Sequence, residues 1–303
     1  MSIQINTFLI GVQKSATTSV YDWISQHPDV CGPVSLKDTP FFIDDKLFNK
    51  GLNFLEKIYQ NELSNERIIL NGSAHNIYFE HAIKRIKKHN PDAKLILILR
   101  NPVDRAISAY RFAVKRNLER DSFMNSIKNE SIRLQSDNIQ ILSETTYIDH
   151  GRYYQQIKNL YKYFNEDKVL IIDYDDVKNK PNQIISDVFT FLNINSNFNP
   201  EFRTLNNTGN IRFEALRDIV YNNNPIKNFL VTKVLDKLVS YDLKYKIKIK
   251  VLALITKKAQ IGSQNNRNTF DESTKKHVYS LLSDDIDMLE NLIKRDLSHW
   301  KLN

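Results

Sequence analysis

The chain has 303 residues, of which 41% are hydrophobic, with only 7 glycines and 8 prolines. It is long enough to bury the core of one large α/β domain or two small ones, and its composition excludes a disordered or collagen-like chain. The formal net charge of +8 suits an anionic ligand, although it is also compatible with nucleic acid or an anionic membrane surface.

Hydrophobic patterning predicts strands that alternate with helices over the first two thirds of the chain. Strands are expected at residues 7–11, 67–71, 94–100 and 168–173. Helices are expected at residues 18–27, 52–60, 79–88, 103–117, 152–164 and 181–192, and then at about 213–222, 226–240, 245–258, 272–282 and 284–295. Because such alternation implies right-handed crossovers, it predicts an α/β fold with a central parallel sheet. The part from about residue 211 to residue 303 is expected to be a helical subdomain packed on that sheet.

The first segment of interest, Thr7–Pro28, has the pattern of a strand, a polar loop and a helix. Backbone N–H groups at a helix N-terminus lack partners and carry the positive end of the helix dipole, so they hold phosphate or sulfate readily. The loop adds one ammonium group and several hydroxyls, from Lys14, Ser15, Thr17, Thr18 and Ser19. It is not a Walker A motif, because Lys14 follows Gly11 after only two residues and Ala16 stands where a second glycine is expected. The alternative is an ordinary strand-to-helix turn with a Ser or Thr cap.

A second segment, Ala93–Phe112, has an apolar run that is typical of a buried parallel strand and that ends at Arg100. Arg100 is therefore expected at the carboxyl end of a central strand, where open α/β sheets bind ligands, with Ser108 near the start of the next helix. Nucleotide triphosphatases usually carry a magnesium-binding Asp at this point, whereas an Arg binds phosphate without a metal. The two segments thus predict a ligand with two separate anionic groups. The alternative for Arg100 is a structural ion pair with Asp104 or another carboxylate.

These segments resemble those of a known family. Gly11–Ser19 resembles the 5′-phosphosulfate loop of sulfotransferases that use 3′-phosphoadenosine 5′-phosphosulfate (PAPS), and Arg100–Ala106 with Ser108 and Tyr110 resembles their 3′-phosphate motif. Lys37–Phe42 is similar to the family's Lys-Glu-x-x-Phe-Phe segment. Further similarity lies at Gly151–Tyr153, Val169–Asp173, Phe191–Leu192 and Leu289–Trp300. The resemblance is to the heparan-sulfate-type carbohydrate sulfotransferases and their bacterial relatives.

The resemblance implies a P-loop-like three-layer fold and a single sulfotransferase domain over residues 1–303. It also implies an enzyme that moves a sulfuryl group from PAPS, as co-substrate, to a hydroxyl or amine of a saccharide or a small-molecule metabolite. Adenosine 3′,5′-bisphosphate would be released, and no metal is required. The alternative is a P-loop-type small-molecule kinase, which needs a metal-binding carboxylate where this chain has Arg100.

Site residues follow from the same resemblance. The donor-binding residues are expected to be Lys14, Ser15, Ala16, Thr17, Thr18, Ser19, Arg100, Ser108 and Arg267. Lys14 is expected to stabilise the leaving oxygen while a base removes the acceptor proton. Asp38 is the first candidate for the base, by its motif position, and the alternative is a turn former beside Thr39-Pro40. His75 is the second candidate, and its alternative is a hydrogen-bonded structural histidine.

The chain departs from the family pattern at three places. Ala16 replaces a glycine, and its methyl group is tolerated only if φ stays negative. Asp38 replaces a glutamate and is one methylene shorter. The family segment Glu-Lys-Ser-x-x-Tyr has Asn71-Gly72 in place of its first two residues, which affects the acceptor side rather than the donor side.

The remaining observations concern partners and location. No apolar run reaches the roughly 20 residues that cross a bilayer, so no transmembrane segment is expected. Cys31 is the only cysteine, and the N-terminus has no basic leader, which favours a reducing, cytoplasmic location. The seven histidines form no pair at metal-ligand spacing, so no metal site is predicted. The basic runs at 83–88 and 244–250 are interpreted as solvated faces, with an acidic acceptor groove or a membrane-surface contact as the alternatives. No nucleic-acid partner is expected, and the sequence has no signal for an oligomeric state.

Overall fold

A five-stranded parallel sheet forms the centre of the protein. The computed structural model describes residues 3–60, 62–202, 210–211, 256–257 and 270–302. The sheet strands are β1 (Thr7–Gly11), β2 (Val30–Cys31), β3 (Ile68–Gly72), β4 (Lys94–Leu99) and β5 (Val169–Asp173). They lie in the order β2-β3-β1-β4-β5, and each neighbouring pair is parallel. The predicted α/β class with a central parallel sheet is confirmed.

Helices cover both faces of this sheet. In the first part of the chain they are α1 (Thr17–Ser25), α2 (Asp45–Phe48), α3 (Asn53–Tyr59), α4 (Glu80–His89), α5 (Pro102–Lys115), α6 (Phe123–Lys128), α7 (Glu130–Arg133), α8 (Ile139–Thr145), α9 (Tyr153–Tyr161), α10 (Tyr174–Asn179) and α11 (Pro181–Leu192). Among the last residues they are α12 (Glu272–Ser280) and α13 (Ser283–Ile293). No helix among the described residues is long and apolar enough to cross a bilayer.

The central strands are buried on both faces, and this produces the three layers. Side chains alternate along a strand, so Phe8 and Ile10 of β1 join one hydrophobic core while Leu9 joins the other. In β4, Leu97 and Ile98 divide between the two cores in the same way. This double burial explains why these strands are continuous apolar runs in the sequence.

Strand order also positions the functional residues. β1 and β4 are direct neighbours in the middle of the sheet, and Gly11 at the end of β1 is level with Leu97. Because parallel strands end at the same edge, the loop after Gly11 and the residue after Leu99 emerge side by side. This is the edge at which open α/β sheets bind their ligands.

Several short elements were not predicted. The two-residue strand β2 and the helices α2, α6, α7, α8 and α10 have no counterpart in the sequence reading. Each of these helices has seven residues or fewer, which is too short to show a hydrophobic period. The longer elements lie within about three residues of their predicted bounds.

The C-terminal part is described over residues 270–302 and at two short strands. Helices α12 and α13 confirm the two last predicted helices, and Trp300 is buried in the core beyond them. Asn210–Ile211 and Thr256–Lys257 pair as antiparallel strands β6 and β7, so the helix predicted at 245–258 is wrong at its end. Non-local pairing decides the structure there, and a local pattern does not report it. The helices predicted at 213–222 and 226–240 lie outside the described residues.

Candidate active site

The loop after β1 forms the first part of the site. Helix α1 begins at Thr17, its N-cap residue is Ala16, and no side chain caps it. The alternative of a turn with a Ser or Thr cap is therefore wrong. Without a side-chain acceptor, the first N–H groups of α1 remain available to an anion at the positive end of the helix dipole.

Ala16 corrects a prediction. Its backbone has φ 59° and ψ 17°, which is the left-handed region, whereas a negative φ was expected. This conformation costs an alanine about 1 kcal/mol, so the surrounding structure imposes it. Lys14, two residues earlier, has φ 72°. Such left-handed residues turn successive N–H groups inward and form the concave backbone that binds anions in many phosphate loops.

Hydroxyl groups line the same loop. Ser15 is fully buried, and its Oγ has no hydrogen-bond partner among the described residues. Burying a hydroxyl without a hydrogen-bond partner costs free energy of folding, so this atom indicates a ligand that accepts a hydrogen bond from it. Thr17 is also buried, while Thr18 and Ser19 are partly exposed. A phosphate or sulfate group fits this set of donors.

Lys14 lies among other cations. Its Nζ is 3.9 Å from the centroid of the Phe112 ring on α5. Burial lowers the pKa of Lys14 to about 8; Glu144 opposes this shift, and Arg100 adds to it. Lys115 and Arg116 lower the pKa further. A bound anion would reverse this repulsion and hold the ammonium in its charged form.

Arg100 directly follows β4 and faces this loop. Its Nη1 donates a hydrogen bond of 2.9 Å to the main-chain oxygen of Lys14, and its guanidinium lies 4.6 Å from the Tyr174 ring centroid. The Arg100 Nε is buried without a partner in the described part of the chain. Among the residues that the structure describes, Arg100 forms no ion pair with Asp104 or with another carboxylate, so the alternative of a structural ion pair is not supported there. One donor of the guanidinium thus holds the loop, and the others can bind a ligand.

The remaining donor-site predictions have mixed outcomes. Ser108 is partly exposed on α5, one helical turn before Phe112 and therefore on the face that Lys14 contacts. Arg105, which belongs to the same motif, is fully buried and donates a hydrogen bond to the Tyr147 main-chain oxygen. Its role is therefore to support the structure around the site. Arg267 lies outside the described residues.

Asp38 is held at the carboxyl end of β3. Its N–H donates to the Gly72 oxygen at 2.7 Å, and its Oδ1 accepts from the Lys37 Nζ at 2.5 Å and from the Ala74 N–H at 3.2 Å. Burial alone would raise the pKa of Asp38, but the Lys37 ammonium and the Ala74 N–H outweigh it and lower the pKa. The carboxylate is therefore ionised at neutral pH, and 48% of its side chain is exposed.

Gly72 explains how Lys37 reaches this position. A Cβ at residue 72 would lie 2.6 Å from the Tyr21 ring and 3.0 Å from the Lys37 side chain. The Lys37 side chain is only 4% exposed, so it occupies the space beside Gly72. The Lys37 ammonium thereby lies beside the end of β3, where it pairs with Asp38.

His75 lies on the same side of the site. It lines a cavity of about 660 Å³ together with Asp38. Its Nδ1 is buried without a partner among the described residues, and its ring packs edge-on against His150 at 5.7 Å. Burial lowers the pKa of His75, so the imidazole is neutral at pH 7 and can accept a proton. The structure brings both candidate bases to one cavity.

Glu144 is a site residue that the sequence reading missed. It lies on α8, accepts a hydrogen bond of 2.8 Å from the Gln13 Nε2, and forms an ion pair of 2.5 Å with Arg116. It also lines the cavity with Asp38 and His75. Glu144 therefore connects the donor loop with the acceptor side. The only sequence signal was Asn138, whose side chain caps α8.

The described residues include one group of possible metal ligands, which the sequence did not predict. Asp173, Asp175 and His299 place ligand atoms within 4.8 Å of one another. Asp173 already accepts hydrogen bonds from the Asp175 N–H, as the cap of α10, and from the His299 Nε2. These bonds give the group a structural role at the end of β5.

Comparisons with known proteins identify the family of this chain. The family model described as "Sulfotransferase domain" matches residues 4–235. The chain is 25% identical over 203 residues to bifunctional heparan sulfate N-deacetylase/N-sulfotransferase 1 of Caenorhabditis briggsae, covering 64% of this chain and 22% of that protein. It is 25% identical over 186 residues to mouse heparan sulfate glucosamine 3-O-sulfotransferase 6, covering 61% of this chain and 51% of that protein. The chain thus spans between about a fifth and a half of the curated relatives it matches.

A solved structure supports the fold. A sulfotransferase from Alicyclobacillus acidocaldarius superimposes with a TM-score of 0.70 at 21% identity, covering 98% of this chain and 99% of that one. The P-loop-like three-layer fold predicted from the sequence is confirmed by this likeness. The family model covers most of the chain and includes the loop of Lys14, Arg100 and both candidate bases. The chain belongs to the sulfotransferase domain family.

Proposed function

We propose that the protein transfers a sulfuryl group from PAPS to a hydroxyl or amine of a saccharide or small-molecule acceptor. The proposal rests on the closeness of two anion sites. Arg100, the first residue after β4, donates a hydrogen bond to the main-chain oxygen of Lys14 in the loop after β1. PAPS has a phosphosulfate at one end and a separate 3′-phosphate. A donor with one anionic group at each end suits the two sites.

Each side chain has a role in this proposal. The N–H groups at the start of α1 and the hydroxyls of Ser15, Thr17 and Thr18 would hold the phosphosulfate, whereas Arg100 and Ser108 would hold the 3′-phosphate. Lys14 would neutralise the charge that builds on the leaving oxygen. Because these groups supply positive charge themselves, the proposal needs no metal ion. Residues 1–303 would act as one domain, with Arg267 as a further donor contact.

In this proposal, proton transfer takes place in the cavity beside the Lys14 loop. The acceptor oxygen or nitrogen forms a bond to sulfur, the bond from sulfur to the phosphate oxygen breaks, and the acceptor proton passes to a base. Asp38 is ionised and open to the cavity, so it is the first choice for that base. His75 is neutral and lines the same cavity, so it is the second.

The experiment uses PAPS with radiolabelled sulfur and a panel of saccharides and hydroxylated metabolites. We expect label in an acceptor, together with release of adenosine 3′,5′-bisphosphate, and loss of both in Lys14→Ala. Transfer of phosphate from ATP to the same panel, with no transfer of sulfur, would instead support the kinase.

We also infer a reducing, cytoplasmic location, because the single Cys31 is buried and cannot form a disulfide within the chain.

A further inference from the structure

The cavity that contains Asp38 and His75 has an unusual charge for a basic protein. Five carboxylates of the described residues line it, from Asp38, Asp44, Asp45, Asp137 and Glu144. Within the same part of the chain, Lys46 is the only lysine or arginine in the lining, and the neighbouring His75 is neutral. The chain as a whole carries a net charge of +8. Carboxylates therefore outnumber cations in the lining of the acceptor side, whereas cations outnumber carboxylates in the chain as a whole.

Three of these carboxylates are neutralised by cations that lie outside the cavity lining. Asp38 pairs with Lys37, Asp45 with Arg85, and Glu144 with Arg116. These cations do not line the cavity. Arg85 belongs to the basic run at 83–88, so one residue of that run supports the cavity wall. A molecule in the cavity meets carboxylate oxygens, which only accept hydrogen bonds.

The other two carboxylates have no counter-ion. Asp44 accepts bonds from the N–H groups of Lys46 and Leu47 through Oδ1, which leaves its second oxygen open. Asp137 is exposed just before α8. Neither forms an ion pair with a residue that the structure describes. They come from two different segments of the chain, so they face a common ligand only because the fold brings α2 and α8 to one cavity.

The donor side has the reverse character. Lys14 is surrounded by Arg100, Lys115 and Arg116, and Glu144 is the one carboxylate that affects its pKa appreciably. The site is therefore divided between a cationic half at the Lys14 loop and an anionic half in the cavity. A negatively charged acceptor would be repelled by the half in which it must bind, and a positively charged one would be attracted.

We propose that the acceptor is a hydroxylated amine whose ammonium group binds among Asp44, Asp137 and their neighbours. This inference rests on the proposed sulfuryl transfer. The acceptor hydroxyl oxygen forms the bond to sulfur, the bond from sulfur to the phosphate oxygen breaks, and the hydroxyl proton passes to Asp38 or His75. The ammonium group keeps its proton and serves as the anchor. Saccharides that carry carboxylate or sulfate groups are poor acceptors.

The test compares three disaccharides of similar size, built from glucosamine, N-acetylglucosamine or glucuronic acid. Their binding is measured by calorimetry in the presence of adenosine 3′,5′-bisphosphate, and their sulfation is measured with labelled PAPS. We expect the glucosamine disaccharide to bind about tenfold more tightly than the neutral one, and the glucuronic acid disaccharide to bind least. Raising the salt concentration should narrow these differences.

Two variants test whether Asp44 and Asp137 cause this preference, and a third variant is the control. Asp137→Asn and Asp44→Asn should each reduce the preference for the glucosamine disaccharide several-fold. Asn also caps helices, so the second variant keeps α2. Asp92→Asn, at the amino end of β4 and away from the cavity, should leave the preference unchanged.

The outcomes separate this inference from the function on which it rests. Absence of binding by adenosine 3′,5′-bisphosphate would overturn the proposed function. If the bisphosphate binds, the inference on the acceptor alone is overturned by equal or better binding of the glucuronic acid disaccharide. Failure of the glucosamine disaccharide to bind, or an unchanged preference in both Asp→Asn variants, would also overturn it.

Discussion

The Arg100 Nη1 lies 2.9 Å from the main-chain oxygen of Lys14, to which it donates a hydrogen bond. The two residues belong to motifs that are 86 positions apart in the sequence. The bond fixes the Lys14 loop relative to the end of β4. The distance between the two motifs is therefore fixed before a ligand binds to both of them.

Arg100→Ala and Arg100→Lys test this junction. A lysine keeps the charge but cannot hold the loop oxygen and a phosphate at once, so both variants should weaken binding of adenosine 3′,5′-bisphosphate. Hydrogen bonds to charged groups contribute about 1.5–3 kcal/mol, which predicts a Kd raised about 10- to 100-fold. Titration calorimetry measures this change. Arg85→Lys, away from the donor loop, is the matched control, and full affinity in Arg100→Lys would show that the guanidinium geometry is not needed.

Lys14 predicts the alkaline side of the pH profile. Its pKa is lowered to about 8, first by burial, so its ammonium loses its proton as the pH rises through that value. We expect kcat/KM for PAPS to fall above about pH 8, where Lys14 of the ligand-free enzyme loses its proton, and turnover at pH 7 to fall about 10²- to 10³-fold in Lys14→Ala. A profile that stays flat to pH 10 in the native enzyme would remove Lys14 from this role.

The same shift affects the stability of the ligand-free protein. The pKa of Lys14 is lower in the folded state than its ordinary value of 10.5, so the unfolded chain binds more protons between about pH 8 and 10.5. The contribution of Lys14 to the free energy of unfolding therefore rises with pH in this window. The difference between the native protein and Lys14→Met, measured by urea denaturation at several pH values, isolates this contribution.

The two candidate bases are separated by Asp38→Asn and His75→Asn. Asn removes the proton acceptor at position 38 while keeping the shape of the side chain. If Asp38 is the base, turnover should fall about 10²- to 10⁴-fold in Asp38→Asn, with donor affinity unchanged, and little in His75→Asn. Steady-state kinetics with the best acceptor measures both variants. The reverse ranking would assign the proton to His75.

The strain at Ala16 predicts a gain in stability. Glycine adopts φ 59° without the steric cost that alanine has, so Ala16→Gly should relieve about 1 kcal/mol, part of which is lost to the greater freedom of the unfolded chain. Thermal unfolding should shift upward by a few degrees at most. Ala82→Gly, inside helix α4, should instead destabilise the protein. A destabilised Ala16→Gly would indicate that the methyl group packs favourably.

The sequence places Lys14 and Arg100 close together because its signals are local. Arg100 directly follows β4, Lys14 lies three residues after β1, and a parallel sheet brings the carboxyl ends of neighbouring strands together. The sequence also selects Asp38 and His75, which line one cavity. These residues belong to motifs whose positions relative to the strands are fixed by short connections.

The acceptor side depends on contacts that a sequence pattern does not report. Glu144 reaches the site through the short helix α8, and the Lys37 side chain packs in the space that Gly72 leaves beside β3. Ala16 is the clearest local failure, since the expected negative φ for alanine is overridden by the surrounding fold. Tertiary packing decides each of these features.

The most direct measurement is a comparison of thermal unfolding in adenosine 3′,5′-bisphosphate with EDTA and in ATP with magnesium. A ligand that binds the folded state raises the unfolding temperature in proportion to its occupancy. We predict a clear rise with the bisphosphate in EDTA, loss of that rise in Arg100→Ala, and little effect of ATP with magnesium. Stabilisation by ATP with magnesium and none by the bisphosphate would contradict the assignment of the Lys14 and Arg100 sites to PAPS.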